Sequence, residues 1–323
     1  RSTLFPYTTL FRSRTGITAK FTLQSGGKII TSDPVGLNSA GALGPIQTAI
    51  RLFNDTADYE FRGAATGVFN TGDSTDIQSS VVRNLIINNP SGSVTLSKPV
   101  TIANNTGTTE RLYLQSGALI TNDINILTLE DNVQATGATG KHQYNLNSFV
   151  DGPLRKIGDD DFIFPVGKVG FGLHKIGISD PIAGSNNATA FTAQFFRADP
   201  KTQSTQLGVG LVRISSCEYW ALNRTGTNQV NVMLSWENNS SCGGSQYVTQ
   251  NGSASLRVAR LDATGTWIDE GNTDRTGIAP FFTSGTVTSN TINTFSPFAL
   301  ASSSAAENPL PVVFPVLDRK SVV

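Results

Sequence analysis

Few residues in this chain are placed to do chemistry. Gly158-Asp159-Asp160-Asp161 is the densest acidic run, and carboxylate oxygens are the hard ligands that Ca²⁺ takes. Successive strand residues point to opposite faces, so three consecutive aspartates converge on one ion only if the chain turns. Gly158 before them and the apolar Phe162-Ile163-Phe164 after them read as a solvated turn leading into a strand. His142 and His174 are the only histidines, 32 residues apart, with neither a Gly-x-Ser-x-Gly elbow nor a His-Glu-x-x-His pair. A triad assembled in space is not spelled out by these residues, and surface or turn positions are expected for both histidines.

A hydrolase groove would need paired carboxylates. Residues 80–130 and Asp131 offer only Glu110, Asp123, Glu130 and Asp131, with Arg83, Lys98 and Arg111. Glu130 and Asp131 are adjacent and would diverge in a strand, so the set is too sparse for a catalytic groove. Trp220, Trp236 and Trp267 could stack on sugar rings, but Trp236 is in phase with Val230, Val232 and Leu234, which points to the core. Cys217 and Cys242, the only cysteines, flank apolar strand-like runs. A disulfide between them suits an exported protein, and two free buried thiols are the alternative. With two histidines beside them, a four-ligand zinc site is not expected. No catalytic, cofactor-binding or metal-ligating residue is assigned.

The elements that would carry these residues are strands. Leu85–Ile87, Val94–Leu96, Val100–Ile102, Leu112–Leu114 and Ile124–Leu129 recur at spacings of about eight to twelve residues, with turn residues between them. The phrase Leu23-Gln24-Ser25-Gly26 returns as Leu114-Gln115-Ser116-Gly117, and the pairs Asn88-Asn89 and Asn104-Asn105 suggest like residues stacked on like. Antiparallel hairpins and a parallel solenoid both absorb such a pattern, and the recurrences favour the solenoid. Beyond Pro153 the strands lengthen and alternate: Phe191, Ala193 and Phe195 share a face, as do Val230, Val232, Leu234 and Trp236. The fold expected is all-β, with N-terminal parallel β-solenoid or β-helix-like repeats followed by an antiparallel β-sandwich. No stretch shows a helical period of ten residues; Pro45–Phe53 comes nearest.

Both ends read as foreign. Tyr7-Thr8-Thr9-Leu10-Phe11-Arg12-Ser13 can be encoded by TAC ACG ACG CTC TTC CGA TCT. The opposite strand, shifted by one base, then reads Asp-Arg-Lys-Ser-Val-Val, which is Asp318 to Val323. The expected organisation is therefore translated sequencing adapter at 1–13 and 318–323, a solenoid-like repeat region at 14–152, a sandwich at 153–302 and a Ser/Ala/Pro linker at 303–317. Removing Arg1, Arg12, Arg319, Lys320 and Asp318 changes 24 basic and 24 acidic residues to 20 and 23. That balance gives no electrostatic reason to bind nucleic acid. No run of 18 apolar residues occurs, so no membrane-spanning segment is expected.

Several phrases resemble large secreted, cell-surface proteins that use the type IX secretion route and end in a C-terminal sorting domain. They are Ser148-Phe149-Val150-Asp151-Gly152-Pro153, Phe162-Ile163-Phe164-Pro165-Val166-Gly167, Cys217-Glu218-Tyr219-Trp220, Leu256-Arg257-Val258-Ala259-Arg260 with Trp267, Phe295-Ser296-Pro297-Phe298 and Asn308-Pro309-Leu310-Pro311-Val312. After Val312 the sequence departs from the family pattern with Val313-Phe314-Pro315. The resemblance implies a fragment of a longer cargo, located outside the cell or on its outer surface. It also implies a non-enzymatic structural or adhesive role, with surface glycans or other surface proteins as partners. The alternative is an accessory carbohydrate-binding part of a secreted polysaccharide-active protein. From the residues alone, Pro165 should end a strand or sit on a sheet edge, and Gly167 should be free to take a positive φ.

Overall fold

The computed structural model describes residues 20–33, 36–37, 46, 48, 50–62, 67–69, 81–104, 110–137, 140–141, 144–182, 189–237, 242, 247–249, 254–277, 284–295, 297–308 and 310. The chain forms two compact units, one of Arg1–Phe195 with Leu222–Val230, the other of Phe196–Ala221 with Asn231–Val323. Both are built from strands. Among the described residues helical conformation is limited to a 3₁₀ turn at Pro200–Thr202 and to Ala254, and Pro45–Phe53 contains the strand Ile50–Leu52. No helix among them is long and apolar enough to cross a membrane.

The first unit is a parallel β-solenoid with three faces. On the first face, Ile29, Tyr59, Leu85, Leu112 and Ala135 lie in register on successive coils. On the second, Gly67, Val94, Leu119 and Val150 are in register. On the third, Val100, Leu127 and Leu154 form one column, and Val82, Ile102, Leu129 and Lys156 the column beside it. Leu85, Leu112, Val100, Leu127, Leu154, Val82, Ile102 and Leu129 are all buried. Each fully buried aliphatic side chain contributes about 1.5–3 kcal/mol relative to exposure. No single coil encloses its own apolar face, so stacking supplies the core.

The recurrences that suggested stacking are not themselves stacked. Register places Thr31, Phe61, Ile87 and Leu114 above one another, so Leu114 is not aligned with Leu23. The Leu-Gln-Ser-Gly phrase is instead a corner used at two different places. Gly26 has φ 72° and precedes the first-face strand Lys28–Thr31; Gly117 has φ 77° and precedes the second-face run at Leu119. A Cβ on Gly117 would lie 2.1 Å from the Asn89 carbonyl oxygen. Asn88 lies on the first face, whereas Asn104 follows the third-face strand Val100–Ile102. Other polar residues join the coils. Asn84 donates to Asp58 Oδ1 at 2.7 Å and accepts from the Arg111 backbone N–H at 2.8 Å. Ser116 Oγ donates to Asn88 Oδ1 at 2.9 Å.

The parallel ladder of the third face runs to Leu154–Ile157 and there changes sense, since that strand pairs antiparallel with Ala190–Phe196. Phe162–Phe164 pairs antiparallel with Ile176–Ile182, and Gly167–Lys168 with Gly172–Leu173. The strand ends ahead of Pro165, as expected, but Gly167 is not in the left-handed region. Its lack of a side chain is needed for space: a Cβ would meet the Gly172 carbonyl oxygen at 2.2 Å and the Phe149 ring at 2.9 Å.

The second unit consists of antiparallel sheets with one parallel edge pairing. Leu256–Leu261 lies between Thr266–Asp269 and Phe298–Ser302, and Arg213–Ile214 adds to the latter. Gln206–Leu207 runs parallel to Thr266–Asp269 at the edge. In the other sheet, Ser284–Ile292 pairs with Asp274–Arg275. The period-two reading holds as far as Leu234, since Val232 and Leu234 are buried while Asn231 and Met233 are half-buried; beyond it Ser235 is buried as well as Trp236. The segment read as a linker is built into this unit as far as it is described. Ser303 N–H donates to the Ser255 carbonyl, and Asn308 and Leu310 are buried. Asn308 bridges the Thr249 N–H and Ser255 Oγ, so small polar residues dock here through hydrogen bonds.

Candidate functional site

The acidic run is not a free turn. Gly158 to Asp160 bend back so that carboxylates of Asp159 and Asp160 meet that of Asp131, with ligand atoms within 4.8 Å of one another, while Asp161 lies outside the group. Three carboxylates gathered in this way call for a cation, and the chain provides one. Lys156 occupies the position held by Val82, Ile102 and Leu129 on earlier coils, and its side chain is 1% exposed. The Nζ donates to Asp160 Oδ2 at 2.6 Å, to the Ile157 carbonyl at 2.7 Å and to the Glu130 carbonyl at 3.0 Å. All three ammonium protons are thereby used. Asp160 Oδ2 also accepts from the Asn132 N–H at 2.8 Å, and the Phe162 ring centroid is 5.9 Å from Nζ.

Burial lowers the Lys156 pKa, opposed by its hydrogen bond to Asp160. Burial raises that of Asp131, helped by the nearby Asp160 charge and opposed by Lys156. The lysine bonds one of the three carboxylates, Asp160, and the arrangement pins the Asp159–Asp160 bend to the end of the third-face column. Sequence reasoning found the aspartates but missed Lys156. Its signal was available in Leu154-Arg155-Lys156, where a cation stands in an inward position of an alternating strand.

A second cluster lies in the other unit. Cys217 and Cys242 form a disulfide, which settles the alternative of free thiols. Beside it Glu218 is wholly buried, with Oε2 3.5 Å from Arg197 Nη1 and 3.4 Å from Cys242 Sγ. Burial pushes the Glu218 carboxyl up to about 7, with the Tyr247 hydroxyl and Arg197 pulling the other way. Burial also moves the Tyr247 hydroxyl well above its usual range, and that hydroxyl is 2.9 Å from Ser215 Oγ. Arg197 and Tyr247 carried no sequence signal, because their partners are 21 and 32 residues away. On the solenoid, Glu60 is buried between Lys28 at 2.6 Å and Arg62. Burial opposes its ionisation, but the hydrogen bonds from those two cations hold its carboxyl below the usual value.

The remaining candidates fall apart in space. Glu130 Oε2 accepts from the Asn104 N–H at 3.1 Å while Asp131 joins the aspartate group, so the adjacent pair diverges. His174 is buried rather than at the surface, stacked on Phe195 at 4.2 Å between centroids; His142 lies outside the described residues. Trp220, Trp236 and Trp267 are at most 1% exposed and belong to the core, so none is a platform for a sugar ring. Comparison with protein-family models, with curated proteins and with solved structures returned no match.

Proposed function

We propose that the chain is a non-enzymatic structural or adhesive module of a larger exported surface protein, a cargo of the type IX route, with translated adapter at both ends. One observation carries the reading. Buried ionisable groups in both units are engaged by charged partners within the chain: Lys156 by Asp160 and two backbone carbonyls, Glu60 by Lys28 and Arg62, and Glu218 by Arg197. Groups so engaged hold strands together; a catalytic acid or base needs reach to a substrate proton. The disulfide supports an oxidising compartment. The ordered phrases from Ser148 to Val312 support the family resemblance.

The test has two parts. Protease shaving of intact cells that carry the gene should release peptides of this chain, and recovery only from the cytosol would sink the exported reading. Incubation with a polysaccharide panel should leave chain lengths unchanged, and any depolymerisation would sink the non-enzymatic one. Sequencing the locus from intact DNA should replace residues 1–13 and 318–323 with other coding sequence.

A further inference from the structure

The Cys217–Cys242 disulfide has two unlike sulfurs. Cys217 is half-buried, with the uncharged Ser215 Oγ 3.8 Å from its sulfur and a Glu218 carboxylate oxygen within 4.8 Å. Cys242 is buried, and its sulfur is in contact with the Arg197 guanidinium. In thiol–disulfide exchange the attacked sulfur must be reachable, and the departing sulfur leaves faster the better its negative charge is stabilised. A neighbouring arginine supplies that stabilisation, as it does for low-pKa cysteines in general. Access and leaving-group stability therefore select the same direction.

We propose that Cys217 is a site of covalent modification by low-molecular-weight thiols. An external thiolate attacks Cys217 Sγ, a new sulfur–sulfur bond forms there, and the Cys217–Cys242 bond breaks with its electron pair passing to Cys242. Cys242 is left as a thiolate against Arg197. One disulfide replaces another, so no reactant beyond the thiol is consumed. Attack in the opposite sense would require entry to a buried sulfur and would expel a thiolate beside a neutral hydroxyl and the Glu218 carboxyl. Glu218 is the opposing influence, 3.4 Å from Cys242 Sγ, but Arg197 offsets its charge at 3.5 Å. Burial also keeps part of its carboxyl population protonated at neutral pH. The proposal goes beyond the structural reading, because it makes the covalent staple of the second unit a reactive handle.

The experiment incubates the intact chain with excess reduced glutathione at neutral pH, stops the reaction in acidic denaturant, alkylates all free thiols and maps the peptides. The expected product carries glutathione on Cys217 and the alkyl group on Cys242. Arg197→Gln should slow its formation by about tenfold, and Arg197→Lys should stay near the parent rate. Adduct on Cys242, adduct shared equally between the two, or adduct that forms only as fast as the chain globally unfolds would each overturn the proposal. The position of the adduct in the unmodified chain is informative even if a variant fails to fold.

Discussion

Asp151 clasps the hairpin that begins at Lys168: its Oδ1 accepts from Lys168 Nζ at 2.8 Å and its Oδ2 from the Val169 N–H at 3.0 Å. Its partners follow directly on Phe162–Gly167, and other contacts join that phrase to Ser148–Pro153. The Val150 N–H donates to the Pro165 carbonyl at 2.8 Å, Val150 bridges Val166 in parallel, and Gly167 lies flat against Phe149. Ser148–Pro153 and Phe162–Gly167 are thus packed together, separated in the sequence by the strand Leu154–Ile157 and the bend at Gly158–Asp160.

Asp151→Ala should destabilise the first unit by about 1–3 kcal/mol, because it strips an acceptor from a backbone N–H and leaves a gap at a buried position. Lys168→Ala should cost under about 1 kcal/mol, since that side chain is 48% exposed and its ion pair is screened. Denaturant midpoints of the two variants decide the order. A larger loss for Lys168→Ala would show that the ion pair, and not the backbone bond, holds the hairpin.

Lys156→Met continues the Val82, Ile102, Leu129 column with a side chain of similar length, yet it should be strongly destabilising at neutral pH, by about 3–5 kcal/mol. The cause is the set of carboxylates left without their cation. Burial and the Asp160 charge already raise the Asp131 pKa, so protonating these groups should recover part of the loss. Unfolding curves near pH 4 and pH 7 should therefore show a smaller gap from the parent in acid. An equal gap at both would refute the electrostatic account.

Much of the fold was legible because period-two alternation is a local property. Phe162–Phe164 and Leu256–Leu261 coincide with strands, and Val100–Ile102 does so on the solenoid. The architecture was inferred from the wrong copies: Leu23-Gln24-Ser25-Gly26 and Leu114-Gln115-Ser116-Gly117 share a corner geometry, not a rung. Coil length hid the true register, since Lys28, Asp58, Asn84, Arg111 and Gln134 succeed one another at unequal intervals. Corner loops can vary in length without disturbing the ladder, and a search for a fixed repeat fails on them. Val209–Ile214 is rich in apolar residues, yet only Arg213–Ile214 pairs and Val209 is fully exposed, with Gly208 and Gly210 packed close to Trp267 and Asp269. The polar clusters were the least legible, because Lys156 and Arg197 acquire meaning only from partners that folding brings to them.

Glu218 predicts a pH dependence with a definite sign. Its folded pKa, about 7, lies above its ordinary 4.5, so its contribution to stability is complete below about pH 4.5 and is lost as pH rises through about 7. Over that interval the unfolding free energy should fall by at most about 3 kcal/mol from this group. Glu218→Gln should flatten the profile between about pH 4.5 and 7, as read from chemical denaturation across the range. A parent profile of unchanged slope in the variant would assign the dependence to other groups.

Gly117→Ala should cost roughly 3 kcal/mol, combining a left-handed φ of 77° with a Cβ 2.1 Å from the Asn89 carbonyl oxygen. Gly170→Ala, also left-handed but with nothing within 4 Å, isolates the backbone part alone and should cost about 1 kcal/mol. Thermal melts of the pair separate conformational strain from collision.

Parallel rungs accept further rungs without limit, which is how fibrils lengthen. Here the aliphatic column on the third face meets an ammonium group at its fourth level, and the following neighbour arrives from the opposite direction. The parallel ladder on that side therefore ends inside the molecule, at an edge already taken by an antiparallel strand.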